Sequence, residues 1–334
     1  MAAIALRSPQ YKSITAGANA AYATCSITIN GAASPQYVLR KDTSPSATVL
    51  FEISELCLDF LDISFDGTYT AQTLTISTVV NAYTSSDSLI NGSTFTDIGY
   101  DAYGTFMEGD NPTVPFGSRP TWLVSGDPDH TTINNEYYIY VPNSTAGSVP
   151  YINATPTDQP TMGYQSYGTS DVEITGSPAG VKMNIERVDC TKYGDGHKIT
   201  FVNKYGALQD LWFFLKSVNT TTTKKEQYQR NIISSTGTYS VNQHTKQVYN
   251  VVANTSFTLS SGYYPEWANQ WFEQLMLSEK VWLTRTKPTN PSQTEVVPVN
   301  VRKNNLVKKT VLNNKLIEYT FDFDMSFDYI NNVR

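Results

Sequence analysis

The sequence predicts a mainly β protein: two β-sandwich-like domains with short amphipathic helices packed on the sheets. Three observations predict this. Only 16% of the 334 residues are charged, while tyrosines number 22 and Thr, Ser and Asn lead the polar residues. Aromatic and β-branched side chains suit a half-buried pleated surface, and Asn, Ser and Gly serve turns. Sixteen prolines and 19 glycines are spread along the chain, as many short strands and loops require. Third, residues His197 to Lys216 read as a hairpin. Ile199 and Phe201, with Asn203, share one face of its first strand, and Lys198, Thr200 and Val202 the other. Gly206 supplies the positive φ of the turn. Leu211 to Leu215 is apolar on both faces, as in a strand covered on both sides. Burying Trp212, Phe213 and Phe214 contributes on the order of 2–3 kcal/mol each.

The elements in order begin with residues 1–20, which lack periodicity and read as an extended arm or a loosely held first strand. Thr24 to Ile29 alternates as a strand, Asn30-Gly31 is a turn signal, and Tyr37 to Arg40 returns as its partner. Val49-Leu50-Phe51 is expected to close this small sheet. Ile53, Leu56, Cys57, Phe60 and Leu61 form one helical stripe, with Ser54 or its predecessor as cap and Glu55 favouring the N-terminal end. Residues 68–82 return to strand chemistry. From about 83 to 170 the pattern turns irregular and loop-rich, with strand-like pieces at Ile98 to Phe106, Thr121 to Val124 and Glu136 to Val141.

Gly176 to Gly180 marks a boundary between domains 1–176 and 177–334, because two glycines and a proline precede denser hydrophobicity. Lys182 to Asp189 is a strand leading into the hairpin. Thr220 to Arg230 is polar and reads as a projecting loop. Tyr239 to Val241 and Lys246 to Val251 form a strand pair. A helix is predicted over about 265–277, with Trp267, Trp271, Leu275, Phe272 and Met276 on one side and Pro265 at its start. Strands follow at Val281 to Arg285, Val296 to Val301, Leu306 to Leu312 and Lys315 to Asp324.

Composition narrows the function. A net charge of −6 opposes a nucleic-acid-binding surface, which needs clustered Lys and Arg. The interrupted basic run Lys303 to Lys309 reads as a solvated strand edge. Cys25, Cys57 and Cys190 are too sparse for a disulfide framework and lack metal-site spacing, so they read as small buried thiols. The N-terminus lacks a signal-peptide core, and no apolar run reaches membrane-spanning length. Folding in a reducing cytoplasm is the expectation.

Reaction chemistry is thin. Glycosidases need two facing acids, and Asp322 and Asp324 share a strand face about 7 Å apart. Without an apolar pocket to raise one pKa, they read as a wet sheet face. Asp127-Pro128-Asp129-His130 holds metal-capable groups without calcium-loop spacing. His130, His197 and His244 are scattered, and no nucleophile elbow, phosphate loop or dinucleotide fingerprint occurs. The sequence therefore predicts no catalytic, cofactor-binding or metal residues. Candidate interface residues are the tyrosines of the loop-rich middle: Tyr100, Tyr103, Tyr137, Tyr138, Tyr140, Tyr164 and Tyr167. Such rings stack on sugars or form protein interfaces, although half-buried strand positions explain them equally.

Two blocks carry a resemblance. One is Val49 to Leu61, Val-Leu-Phe-Glu-Ile-Ser-Glu-Leu-Cys-Leu-Asp-Phe-Leu, following Tyr37 to Lys41. The other is Lys198 to Phe214, with Gln270 to Leu283 downstream. Their order resembles virion structural proteins of tailed bacteriophages, of environmental and Bacteroidetes-like type, most often of the tail or baseplate. The likeness covers about half of the chain and leaves 83–170 unmatched. It implies a non-enzymatic virion component of the tail, baseplate or neck. Its partners would be copies of itself and other virion proteins, without nucleic acid or membrane, and it would be assembled in the host cytoplasm. The alternatives are a carbohydrate-binding adhesin or receptor-binding module with glycan contact, a capsid decoration protein and, from Asp322 and Asp324, a glycan-cleaving enzyme.

Overall fold

A computed structural model describes residues 2–103, 122–124, 136–153, 161–175, 182–189, 196–233, 235–238, 241–302, 305–308 and 316–327. The fold is mainly β, in several sheets.

The N-terminal part holds β1 (Ala2–Ala5), β2 (Tyr11–Thr15), β3 (Tyr22–Ile29), β4 (Tyr37–Asp42), β5 (Thr48–Glu52), helix α1 (Ser54–Leu58), β6 (Leu74–Tyr83) and β7 (Leu89–Tyr100). Five strands form one sheet in the order β1-β7-β6-β3-β4. As the alternation predicts, Cys25, Ile27 and Ile29 point inward, and Asn30 and Gly31 both take positive φ in the following turn. Residues 1–20 are not a loose arm. β1 pairs in parallel with β7, and β2 pairs with β5. Val49 to Phe51 therefore does not close the β3–β4 sheet. The β2–β5 ribbon instead buries Ile14, Val49 and Phe51 in one cluster with Ile27, Ile76 and Val80. A strand with a single apolar face can cap a neighbouring sheet as well as extend it, and its hydrogen-bond partner is chosen at long range.

Helix α1 is shorter than its stripe. Its N-cap is Ile53, while Ser54 is hydrogen-bonded to the Glu52 carboxylate. Beyond it, Ile63 and Phe65 are buried at period two against Leu208 and Trp282 of the C-terminal part. Tertiary burial of alternate residues overrides the helical period there.

The middle holds β8 (Glu136–Pro142), β9 (Gly147–Asn153), β10 (Thr161–Tyr167), β11 (Glu173–Thr175) and β12 (Lys182–Val188). The boundary residues 176–180 lie outside the described ones, but the strands on either side of them belong together. β8 runs parallel to β12 with Glu136 opposite Lys182. Trp122, Tyr137, Val141, Tyr167 and Met183 share a core with Phe201, Phe213, Trp271 and Phe321. The two largest clusters comprise residues 4–82 and residues 122–325, with most buried residues of the middle segment in the second. Smaller clusters join them: Ala5 and Tyr100 pack with Ile152, Met162 and Ala207, and Ile63 and Phe65 with Leu208 and Trp282.

The remaining elements are β13 (His197–Val202), β14 (Leu208–Phe213), β15 (Ser217–Gln229), β16 (Lys246–Ser260), β17 (Tyr264–Pro265), a 3-10 turn at Glu266–Ala268, helix α2 (Asn269–Leu277), β18 (Val281–Lys287), β19 (Asn290–Val301), β20 (Leu316–Ile317) and β21 (Thr320–Met325). Seven of these strands form a sheet in the order β14-β13-β18-β19-β21-β16-β15. The hairpin expected at 197–216 is present as β13 and β14, with Ile199 opposite Leu211 and Gly206 at φ +75°. Its core is aromatic. The Phe213 ring meets Phe323, Phe321 and Phe272 edge-on at 5.7, 6.0 and 6.4 Å. Helix α2 lays Trp271, Phe272 and Leu275 on this sheet, close to the predicted stripe.

Candidate assembly surface

Of Thr220 to Arg230, read from sequence as a loop, all but Arg230 is strand. β15 pairs with β16 along its whole length, from Ser217 opposite Leu259 to Gln229 opposite Lys246. Among the described residues, only Ser256 to Ser260 of β16 has a second neighbour, β21. The rest of the ribbon stands out from the sheet as a two-stranded arm. From Lys246 to Ala253 it extends roughly 23 Å at about 3.3 Å per residue. Every residue of β15 is exposed, as are the first residues of β16. A threonine-rich strand builds this readily, because β-branched side chains favour extended backbone. Asn250, at φ +47°, marks a bulge where the register shifts between Lys225 and Glu226; such a bulge adds twist to a ribbon.

The arm leaves apolar groups in water. Tyr228 and Tyr249 meet edge-on at 5.8 Å and are about half exposed, with Val248 beside them. Ile233 and Val241 near the tip are 60% and 88% exposed. A two-stranded hairpin by itself is marginally stable in water, and among the described residues no strand pairs with the outer edge of β15.

The seven tyrosines predicted as an interface do not form an exposed patch. Tyr100, Tyr137 and Tyr167 are buried, and Tyr103, Tyr138, Tyr140 and Tyr164 are half-buried. Tyr140 packs between Tyr264, Trp267 and Trp271. The Tyr164 hydroxyl accepts the Leu208 N–H at 2.8 Å, and that of Tyr100 accepts the Met162 N–H at 3.4 Å. Tyr138 donates to Glu136 at 2.9 Å. Tyr103 lies under the Arg7 guanidinium and Tyr167 under that of Arg187. Burial pushes the Tyr140 phenol up to about 12 and those of Tyr164 and Tyr167 upward as well. The physical reason is area: a tyrosine in a strand can bury its ring and still satisfy its hydroxyl at the core margin.

The strand acids are separate in role. Asp322 accepts the Thr258 hydroxyl at 2.5 Å, and Asp324 pairs with Arg302 at 3.4 Å. His197 is half-buried, with its pKa lowered by burial, and His244 stands exposed on the arm. Asp127 to His130 and Cys190 lie outside the described residues. Cys25 and Cys57 are buried free thiols, pushed by burial to about 11 and about 12. No cluster of metal-capable side chains, and no helix long and apolar enough to cross a membrane, occurs among the described residues.

Two polar assemblies tie the N-terminal strands to the C-terminal core. A cleft of about 230 Å³ is lined by Arg7, Asp101, Tyr103, Lys204, Gln274 and Glu279 among others. Arg7 donates to Glu279 at 2.7 Å and to Asp101, so both acids of the cleft are held by one guanidinium. Deeper in, Tyr69 donates to Asp210, Lys198 donates to the Tyr69 hydroxyl at 2.9 Å, and Thr200 donates to Asp210 at 2.6 Å. Burial, reinforced by Asp210, raises the Tyr69 pKa far above its ordinary value, so this phenol holds its proton. Sequence reading missed both assemblies, because their members lie up to 272 positions apart.

Comparison of the chain with protein-family models, curated proteins and solved structures found no match.

Proposed function

We propose that this chain is a non-enzymatic building block of a multi-subunit particle, joined to its neighbours through the β15–β16 arm. The observation that carries the reading is the arm itself. A ribbon whose outer strand is exposed along its whole length adds little to the chain's own core, yet it displays tyrosines, valines and a strand edge with no partner strand among the described residues. Such features suit contact with another protein. The polar groups that do converge, around Arg7 and Tyr69, are paired with one another, which supports a cohesive role for them. The resemblance of Val49 to Leu61 and Lys198 to Phe214 to tailed-phage proteins suggests that the particle is a virion and that the position is tail, baseplate or neck.

The test is localisation. Antibody raised against the chain is applied to particles purified by density gradient from the source culture, and the particles are imaged by cryo-electron microscopy. The expected result is label on the particle at a fixed, repeated position. Exclusion of the chain from every particle fraction refutes the reading.

A further inference from the structure

The arm and the body carry opposite charge. Between Ser217 and Ser260 stand four cations, Lys224, Lys225, Arg230 and Lys246, against the single acid Glu226, a balance of +3. The whole chain is −6, so the remainder carries −9. Within that remainder, the stretch from Asp42 to Asp66 has six acids and neither Lys nor Arg. Glu55, Asp59 and Asp62 are exposed there, Asp62 pairing with Lys280 at 2.7 Å. The same stretch shows water two large apolar side chains, Leu50 at 49% and Phe60 at 43%, with Lys41 donating to the Leu50 carbonyl at 2.6 Å. The arm thus carries basic residues with exposed tyrosines and valines, and the Asp42–Asp66 stretch carries an excess of acids with exposed leucine and phenylalanine.

Sign decides between two ways of covering the arm. Two arms laid edge to edge bring +3 against +3, and like charges brought together resist association. An arm on the acidic body is attracted from a distance and buries apolar groups at contact. The arm does not cover this face within its own chain, since β15 is exposed throughout. We infer that the arm docks on the Asp42–Asp66 face of a second copy of this chain. Donor and acceptor surfaces differ, so the contact is heterologous. Each copy gives one arm and receives one, which generates a ring when the rotation closes and a filament when it does not. The inference rests on the building-block reading and deepens it.

Sedimentation velocity of the full chain tests it with two charge-reversed variants. Lys224→Glu/Lys225→Glu takes the arm from +3 to −1, and Asp42→Lys/Glu55→Lys/Asp59→Lys/Asp62→Lys takes the body stretch from −6 to +2. All six side chains are exposed, so both variants are expected to fold, and far-UV circular dichroism checks this. Each variant alone should self-associate at least about tenfold more weakly than the parent. Mixing the two, or combining all six substitutions in one chain, should restore association, because every arm then meets an oppositely charged face. A monomeric parent chain, unchanged association in either variant, or loss without recovery on mixing overturns the inference. So does association that disappears on nuclease treatment, which assigns the arm to nucleic acid. Particle labelling is independent of all these outcomes, so the building-block reading stands or falls separately.

Discussion

Replacing Gly206 by alanine probes the joint on which the two cores meet. Gly206 closes the β13–β14 turn at φ +75°, where its N–H donates to the Asn203 carbonyl at 2.9 Å. A Cβ there would stand 2.7 Å from the Asp101 carbonyl oxygen and 2.9 Å from its carbon, both backbone atoms. The turn has little freedom to retreat. The Asn203 side chain accepts from Tyr205 and Ala207 and donates to Leu123 and Gln209, while the Tyr103 N–H donates to Lys204. Left-handed backbone costs alanine about 1–2 kcal/mol. Forcing a methyl group into packed surroundings adds about 1–3 kcal/mol. Gly206→Ala should therefore lose about 2–5 kcal/mol in urea unfolding. Gly31→Ala is the control: its φ is +67° and nothing lies within 4 Å of the new Cβ, so only the backbone cost of about 1–2 kcal/mol applies. Equal losses in the two variants would refute the tight seating of the turn on Asp101.

Four further outcomes are expected. Phe321→Ala, which empties a fully buried position between Phe213, Phe272 and Phe323, should cost about 3–5 kcal/mol in the same assay. Tyr164→Phe removes the acceptor of the Leu208 N–H and should cost about 1–3 kcal/mol, whereas an interface tyrosine would alter association and leave stability unchanged. The thiols of Cys25 and Cys57 should resist a thiol reagent at pH 8 in the folded protein and react in denaturant. Because their folded values of about 11 and about 12 exceed the unfolded 9.0, the unfolded chain releases these protons first, and stability should fall as pH rises from 9 toward 11. Replacing Lys224 to Val252 by a short turn should leave the thermal midpoint of the body unchanged, since none of the described residues in that part of the arm is buried.

Local pattern makes several elements legible. The alternation of Thr24 to Ile29, the Asn30-Gly31 turn, the hairpin around Gly206 and the α2 stripe each need only neighbours within a few residues, and each is present. The polar run at Thr220 to Arg230 looks like a loop in the sequence because burial is the usual mark of a strand. β15 is held by its ladder to β16 and by β-branched backbone preference, with no buried face to reveal it. The burial of the seven tyrosines is hidden in the sequence for the converse reason. Aromatic residues in a loop-rich stretch look exposed until the strands that cover them are known, and for Tyr140 and Tyr164 those covers come from residues 264–271 and 208.

Sequence alone determined that this chain is built of sheets, where its sharpest turns fall, and that its aromatic residues far outnumber its histidines and cysteines. Tertiary structure decided which strands are neighbours, which faces meet water, and that one ribbon projects. The reason is range. Side-chain period and turn chemistry act over a few bonds, whereas pairing between residues such as Arg7 and Glu279 depends on the closure of the whole chain.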